Sequence, residues 1–281
     1  MEITSSKLSF RISMVNLDEL KPHEEVIDPV VGSLANDVLE EGELRDPLVV
    51  DQEDYVILDG MHRFNSLRLL KCRFVPCCLV DYDNPLITVG AWFRLFAVDE
   101  AERVAERLLR DAGLHYSLRK VELTRVSNNS QTIMLTKTSA EFSLPDSTDL
   151  FQLARTAANL EKTMVKNGHA VTYSPETTAL QKLQSNDLSL IISVPIFSKQ
   201  QIREFGIMGH LLPHKTTRHV IPSRPLRVDV PLKMLTDPTI SREEADRKLG
   251  ELLAQKHIER KPPGSIVDGR RYEEELLIFT P

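Results

Sequence analysis

Val30, Val31, Leu34, Val38 and Leu39 recur at the spacing of one helix face, and Gly42 stands where that helix would stop. Residues 10–20 ahead of them read as a strand followed by a turn. Pro22 disfavours a helical Lys21, which leaves His23 and Glu24 on a loop. Residues 47–50 and 55–58 are β-rich runs separated by the acidic turn 51–54. Asp59-Gly60-Met61-His62-Arg63 then leads into a helix with Phe64, Leu67 and Leu70 on one side, and residues 74–82 read as a further strand. The chain to about residue 96 is thus expected to form a compact lobe in which two short helices alternate with short strands.

A second lobe is expected from about residue 98. Val104, Ala105, Leu108, Leu109 and Ala112 make the apolar stripe of a helix that Gly113 can terminate. Residues 121–126 and 132–136 suggest paired strands across the polar turn 127–130. Leu150, Leu153, Ala157, Leu160 and Met164 predict another helix, residues 188–194 a strand, and residues 199–205 a helix. Proline-rich connections fill 211–231. A last helix over 242–257 and a strand near 276–279 form a C-terminal extension.

Composition narrows the class. A length of 281 residues allows one large or two medium domains, and 41% hydrophobic with 27% charged residues is ordinary for a globular protein. The net charge of -6 gives no general attraction to phosphate backbones, so no nucleic-acid partner is expected. No apolar run approaches the length of a membrane span, and Met1-Glu2-Ile3 lacks the basic and apolar parts of a leader; a cytoplasmic enzyme without a membrane partner is expected. Cys72, Cys77 and Cys78 match no disulfide or zinc framework and read as small apolar residues of a buried strand.

Three segments could carry chemistry. In Asp59-Gly60-Met61-His62-Arg63, glycine permits a tight turn into a helix whose first N–H groups have no internal partner. With His62 and Arg63 as added donors, that is a phosphate cradle; alternatively it is only a turn before a helix. In Lys21-Pro22-His23-Glu24, Glu24 could accept a hydroxyl proton during phosphoryl transfer, or be a surface charge. The segment from Pro213 to Pro222 brackets His214, Lys215, Thr216, Thr217, Arg218 and His219 with prolines. Such a segment could clasp a carboxylate through Arg218, or be a basic solvent loop.

Taken together, KPHE at Lys21 to Glu24, DGxHR at Asp59 to Arg63 and KTTRHVxP at Lys215 to Pro222 resemble the free L-serine kinases built on the ParB/sulfiredoxin-like fold. The VPCCLVDYD stretch and Trp92 fall at similar places. The resemblance implies an α/β (α+β) fold: a nucleotide-binding lobe over 1–97, a second α/β lobe over 98–235 carrying the serine-binding segment, a cleft between them, and an extension over 236–281. It implies a kinase making O-phospho-L-serine for cysteine or serine metabolism, with a magnesium-nucleotide donor, ADP or ATP. Glu24 would be the general base, and Asp59 would lie beside the transferred phosphate. Gly60, Met61, His62 and Arg63 would bind nucleotide phosphates; Trp92, Thr216, Thr217, Arg218 and His219 would hold serine, with Arg218 or His219 on its carboxylate. Met61 departs from the family's second histidine, although its backbone N–H can still donate. The alternative is a ParB-like nucleotide-binding regulatory or DNA-binding protein, against which the acidic balance and lack of a recognition helix count. A sulfiredoxin-like repair enzyme would need a cysteine within the DGxHR segment, where there is none.

Overall fold

A computed structural model describes residues 1–5, 7–121, 131–185 and 188–281. Most of the strand expected over 121–126, and its turn at 127–130, lie outside the described residues. By internal packing the chain forms two compact units. The first comprises Met1–Thr88, Lys199–Leu211 and His219–Pro281, and the second Val89–Ser198 and Leu212–Arg218. Among the described residues no helix is long and apolar enough to cross a membrane.

The first unit opens with β1 (Glu2–Thr4), β2 (Ser9–Asn16), α1 (Asp28–Glu41), the short β3 (Glu43–Leu44), β4 (Leu48–Asp51), β5 (Ile57–Asp59), α2 (Met61–Leu69) and β6 (Phe74–Val80). Five strands form a mixed sheet in the order β1-β2-β6-β4-β5, with β4 parallel to β6 and the other pairs antiparallel. Every residue of β6 is buried, which explains why its FVPCCLV sequence shows no alternation and why Cys77 and Cys78 behave as apolar residues. In α1 the buried residues are Val31, Ala35 and Val38, whereas Val30 and Leu39 are exposed. The buried stripe keeps Val31 and Val38 of the predicted face and adds Ala35, while Val30 and Leu39 at its flanks are left in solvent. A bond from the Ser66 hydroxyl to the Val31 carbonyl (2.9 Å) ties α2 to α1.

The second unit holds β7 (Thr88–Phe96), α3 (Ala101–Asp111), β8 (Ser117–Lys120), β9 (Thr132–Thr136), β10 (Ala140–Ser143), α4 (Leu150–Lys166), β11 (Thr172–Pro175), α5 (Glu176–Gln184) and β12 (Leu190–Ile192). Its strands run in the order β11-β7-β12-β9-β10-β8. Phe93, Leu95, Ile133, Leu135, Ile191, Leu153, Ala157 and Leu160 share one core with the apolar side of α3. The alternation of Ala91, Phe93 and Leu95 thus belongs to this sheet, and the packing changes at residues 88–89 rather than near 97.

The remaining elements complete the first unit: α6 (Lys199–Met208), β13 (Thr217–Val220, shared with the end of the second unit), β14 (Ser223–Leu226), β15 (Val230–Pro231), α7 (Leu232–Thr236), α8 (Arg242–Ala254), β16 (His257–Lys261), β17 (Ile266–Val267), β18 (Arg270–Arg271) and β19 (Glu275–Thr280). Strand β19 lies between β14, parallel to it, and antiparallel β16. On α8, Asp246 accepts from the Ser13 hydroxyl and the Met14 N–H of β2, both at 2.7 Å. The C-terminal residues, set apart as an extension from their sequence, thus pack into the first unit.

Candidate active site

Strand β5 ends at Asp59, and Gly60 turns the chain into α2 with φ +104°. A Cβ built on Gly60 would stand 2.4 Å from Cδ2 of Leu48, so both conformation and space demand glycine. The Phe64 N–H closes the first helical bond onto the Gly60 carbonyl at 2.8 Å. The N–H groups of Gly60, Met61, His62 and Arg63 therefore have no intrahelical acceptor and form the positive end of the helix dipole.

Asp59 stands between two arginines. Arg63 Nη2 and Arg224 Nη1 each donate to its Oδ2 at 2.6 Å, and Arg224 Nε donates to Glu274 Oε1 at 2.7 Å. Burial would raise the Asp59 carboxyl, but Arg224 and then Arg63 overcome it and hold the group well below the usual carboxylate range. The carboxylate is still 34% exposed, so it is ionised yet reachable. Arg63, expected on phosphate, also donates to the carbonyls of Asp46 (3.0 Å) and Pro47 (2.8 Å), which makes it a brace for the turn. Sequence reasoning missed Arg224 and Glu274. The available signal was a charged residue within the short run Ser223-Arg224-Pro225-Leu226, all of it buried.

The loop carrying Glu24 is fastened at both ends. Lys21 bridges Val56 of the hairpin in parallel, through bonds from Lys21 N–H to Tyr55 O (2.9 Å) and from Ile57 N–H to Lys21 O (3.0 Å). Glu24, three residues further on, is half-buried. At the far end the Ile27 N–H donates to Nε2 of His62 at 3.2 Å, so His62 is turned toward this loop. His23 is 1% exposed; burial, then the nearby His219, lowers its pKa to about 3 despite a bond with the Ile57 backbone. His219, expected on serine, has its Nε2 2.8 Å from the Tyr82 hydroxyl, with its ring edge-on to His23 at 5.5 Å. Burial lowers His219 to about 4 against the opposing pull of Asp59, so both rings are neutral at pH 7.

The second unit groups the other predicted residues. Lys215 Nζ and Arg218 Cζ lie 4.9 Å and 5.5 Å from the centre of the Trp92 ring, on which both cations are stabilised by the π face. Thr216 is fully buried and its hydroxyl donates to the Pro213 carbonyl at 2.6 Å, so this threonine shapes the loop. Thr217 is 9% exposed beside it. Arg94, from the middle of β7, lies beneath the loop and donates to the carbonyls of His214 and Lys215. Arg218 and His219, adjacent in sequence, fall one in each unit. Among the described residues there is no cluster of three metal-ligating side chains.

No family model matches the chain. It is 25% identical over 226 residues to the ADP-dependent L-serine kinase SerK of Thermococcus kodakarensis, covering 79% of this chain and 91% of that protein. A ParB-like protein of Sulfolobus acidocaldarius is 24% identical over 214 residues, 75% of this chain and 92% of the relative. An ATP-dependent L-serine kinase of Desulfurococcus mucosus is 23% identical over 231 residues, 79% and 90% of the two chains. A solved free serine kinase in complex with AMP superposes with a TM-score of 0.68 at 23% identity, covering 83% of this chain and 96% of the other. The chain is thus similar to ADP- and ATP-dependent L-serine kinases over 79% of its length and has the mixed α/β fold of the free serine kinase.

Proposed function

We propose that this protein is a kinase that phosphorylates free L-serine, with ADP or ATP as donor. The observation that carries this reading is the turn at Asp59–Gly60: a helix N-terminus that only glycine can open, beside a carboxylate kept ionised by two arginines. It occurs in a chain similar to L-serine kinases over 79% of its length.

In this mechanism the N–H groups of Gly60, Met61, His62 and Arg63 receive nucleotide phosphate oxygens. The Ile27 N–H, donating to Nε2 of His62, orients that ring at the start of the helix. Arg63 and Arg224 keep Asp59 charged beside the phosphoryl group. Arg218, on the face of Trp92, pairs with the serine carboxylate, and Thr216, Thr217 and His219 shape the segment around it. Glu24 takes the proton from the serine hydroxyl as its oxygen attacks the terminal phosphorus. The bond to the nucleotide breaks, leaving O-phosphoserine and AMP or ADP.

The donor set fits magnesium: it is commonly held by phosphate oxygens and one or two carboxylates, and Asp59 offers Oδ1, which accepts no bond from the described residues. When bound, the ion would neutralise charge on the moving phosphoryl group.

The test is phosphoserine formation from L-serine and magnesium with ADP or ATP in separate reactions. Phosphoserine with stoichiometric AMP or ADP is expected, and Glu24→Gln should lower turnover about a hundredfold or more. Folded protein that binds nucleotide but makes no phosphoserine would instead favour a regulatory nucleotide-binding protein, the direction in which similarity to a ParB-like protein points.

A further inference from the structure

Arg94 is a fully buried arginine in an otherwise apolar stretch of β7, between Phe93 and Leu95. A sheet gains nothing from such a charge, since an apolar residue of similar volume usually serves stability as well or better. Its hydrogen bonds show what the charge is used for. Nη2 donates to the His214 carbonyl (2.9 Å), and Nη1 donates to those of Lys215 (3.0 Å) and Trp92 (2.9 Å). Nε donates to Glu161 Oε2 on α4 at 2.8 Å. The other Glu161 oxygen, Oε1, accepts from the Tyr173 hydroxyl. Tyr173 also stands 5.9 Å from the Arg94 guanidinium and edge-on to His214 at 6.1 Å.

One planar fork thus joins the backbone under Trp92 to the backbone of the 214–215 segment, and a carboxylate and a phenol fix the fork in turn. The segment needs such a hold, because Lys215 adopts φ +59°, a left-handed conformation that non-glycine residues rarely take. With Lys215 so turned, its ammonium and the Arg218 guanidinium both lie over the one indole.

We infer that Arg94, oriented by Glu161 and Tyr173, is a positioning residue. It holds the 214–218 segment in the conformation that sets the cations on Trp92, and it thereby governs affinity for the amino-acid carboxylate rather than the rate of phosphoryl transfer. This inference rests on the kinase reading.

Arg94→Lys keeps the charge but cannot span three carbonyls. It should raise the serine KM about tenfold or more, leaving kcat within about twofold and ADP affinity unchanged. The emission of the single tryptophan should shift as the cations leave its ring. Tyr173→Phe, which deletes one hydroxyl, should raise the serine KM by about threefold. Unchanged serine KM and unchanged tryptophan emission in folded Arg94→Lys would overturn the inference, as would loss of kcat at constant KM. If Arg94→Lys does not fold, Tyr173→Phe decides, and an unchanged serine KM overturns the proposal. If the wild type makes no phosphoserine, the kinase reading falls. The Arg94→Lys emission then still supports loop positioning by shifting, or overturns it by staying constant.

Discussion

Gly60 offers a quantitative test of the turn that opens α2. In Gly60→Ala two costs add. Holding an L-residue in the left-handed region costs about 1–2 kcal/mol. Forcing a methyl to 2.4 Å from Leu48 Cδ2, in a strand residue that is fully buried, adds overpacking of about 1–3 kcal/mol. The sum is about 2–5 kcal/mol, a large part of a typical folding free energy. Gly42 supplies the control: it has φ +73°, and no atom lies within 4 Å of a Cβ built there. Gly42→Ala should therefore lose only the backbone part, about 1–2 kcal/mol. Urea unfolding of the two variants separates the terms. The double variant Gly60→Ala/Leu48→Ala should be less destabilised than the sum of the singles by about 1–3 kcal/mol, because the smaller strand residue makes room for the methyl. Nucleotide titration by calorimetry gives the functional readout, with ADP affinity falling about tenfold in Gly60→Ala as the helix start is displaced. Equal destabilisation at Gly42 and Gly60, with additive behaviour in the double variant, would refute the steric argument.

Two further outcomes are expected. Glu274→Gln removes the charge that shares Arg224 with Asp59 and should cost about 1–3 kcal/mol in urea unfolding; an unchanged midpoint would show that the C-terminal segment does not support the turn. His23, with a folded pKa of about 3 against an ordinary 6.5, binds its proton only in the unfolded chain across that interval. Its contribution to stability is thus complete above pH 6.5 and is lost as pH falls toward 3, by at most about 1.4 kcal/mol per pH unit. Urea unfolding at pH 7 and pH 5 measures it, and His23→Gln should flatten the slope. A wild-type slope identical to that of the variant would contradict the buried neutral ring.

Local pattern was sufficient wherever the cause is local. The spacing of Leu153, Ala157, Leu160 and Met164 marks α4, which runs Leu150–Lys166, and its N-cap Asp149 accepts from the Gln152 N–H at 2.8 Å. Gly60 between a β-rich run and a helical one already implied a tight turn into a helix N-terminus, since nothing outside those residues is needed to produce it; the structure adds that the turn is left-handed. The unbroken apolar run of β6 likewise announced a strand covered on both faces.

Pattern fell short where contacts join distant parts of the chain. Asp59 and Arg224 are 165 positions apart, and Arg94 and Lys215 are 121 apart. No periodicity encodes which buried arginine meets which carboxylate or carbonyl. The same reason explains the segment from Lys215 to His219. As a string of polar residues it suggested Thr216, Thr217, Arg218 and His219 all turned to one ligand, but burial turns the Thr216 hydroxyl inward onto Pro213, places His219 against Tyr82 and leaves Arg218 on Trp92. The sequence alone determined helices α1 to α4, α6 and most of α8, strands such as β4, β5 and β6, the glycine turn and the order of the three motifs, because these follow from the chemistry of neighbouring residues. Only the tertiary structure decided that Arg224 and Glu274 hold Asp59, that Arg94 holds the loop, and that the C-terminal residues complete the first unit, because each depends on the packing of segments far apart in the chain.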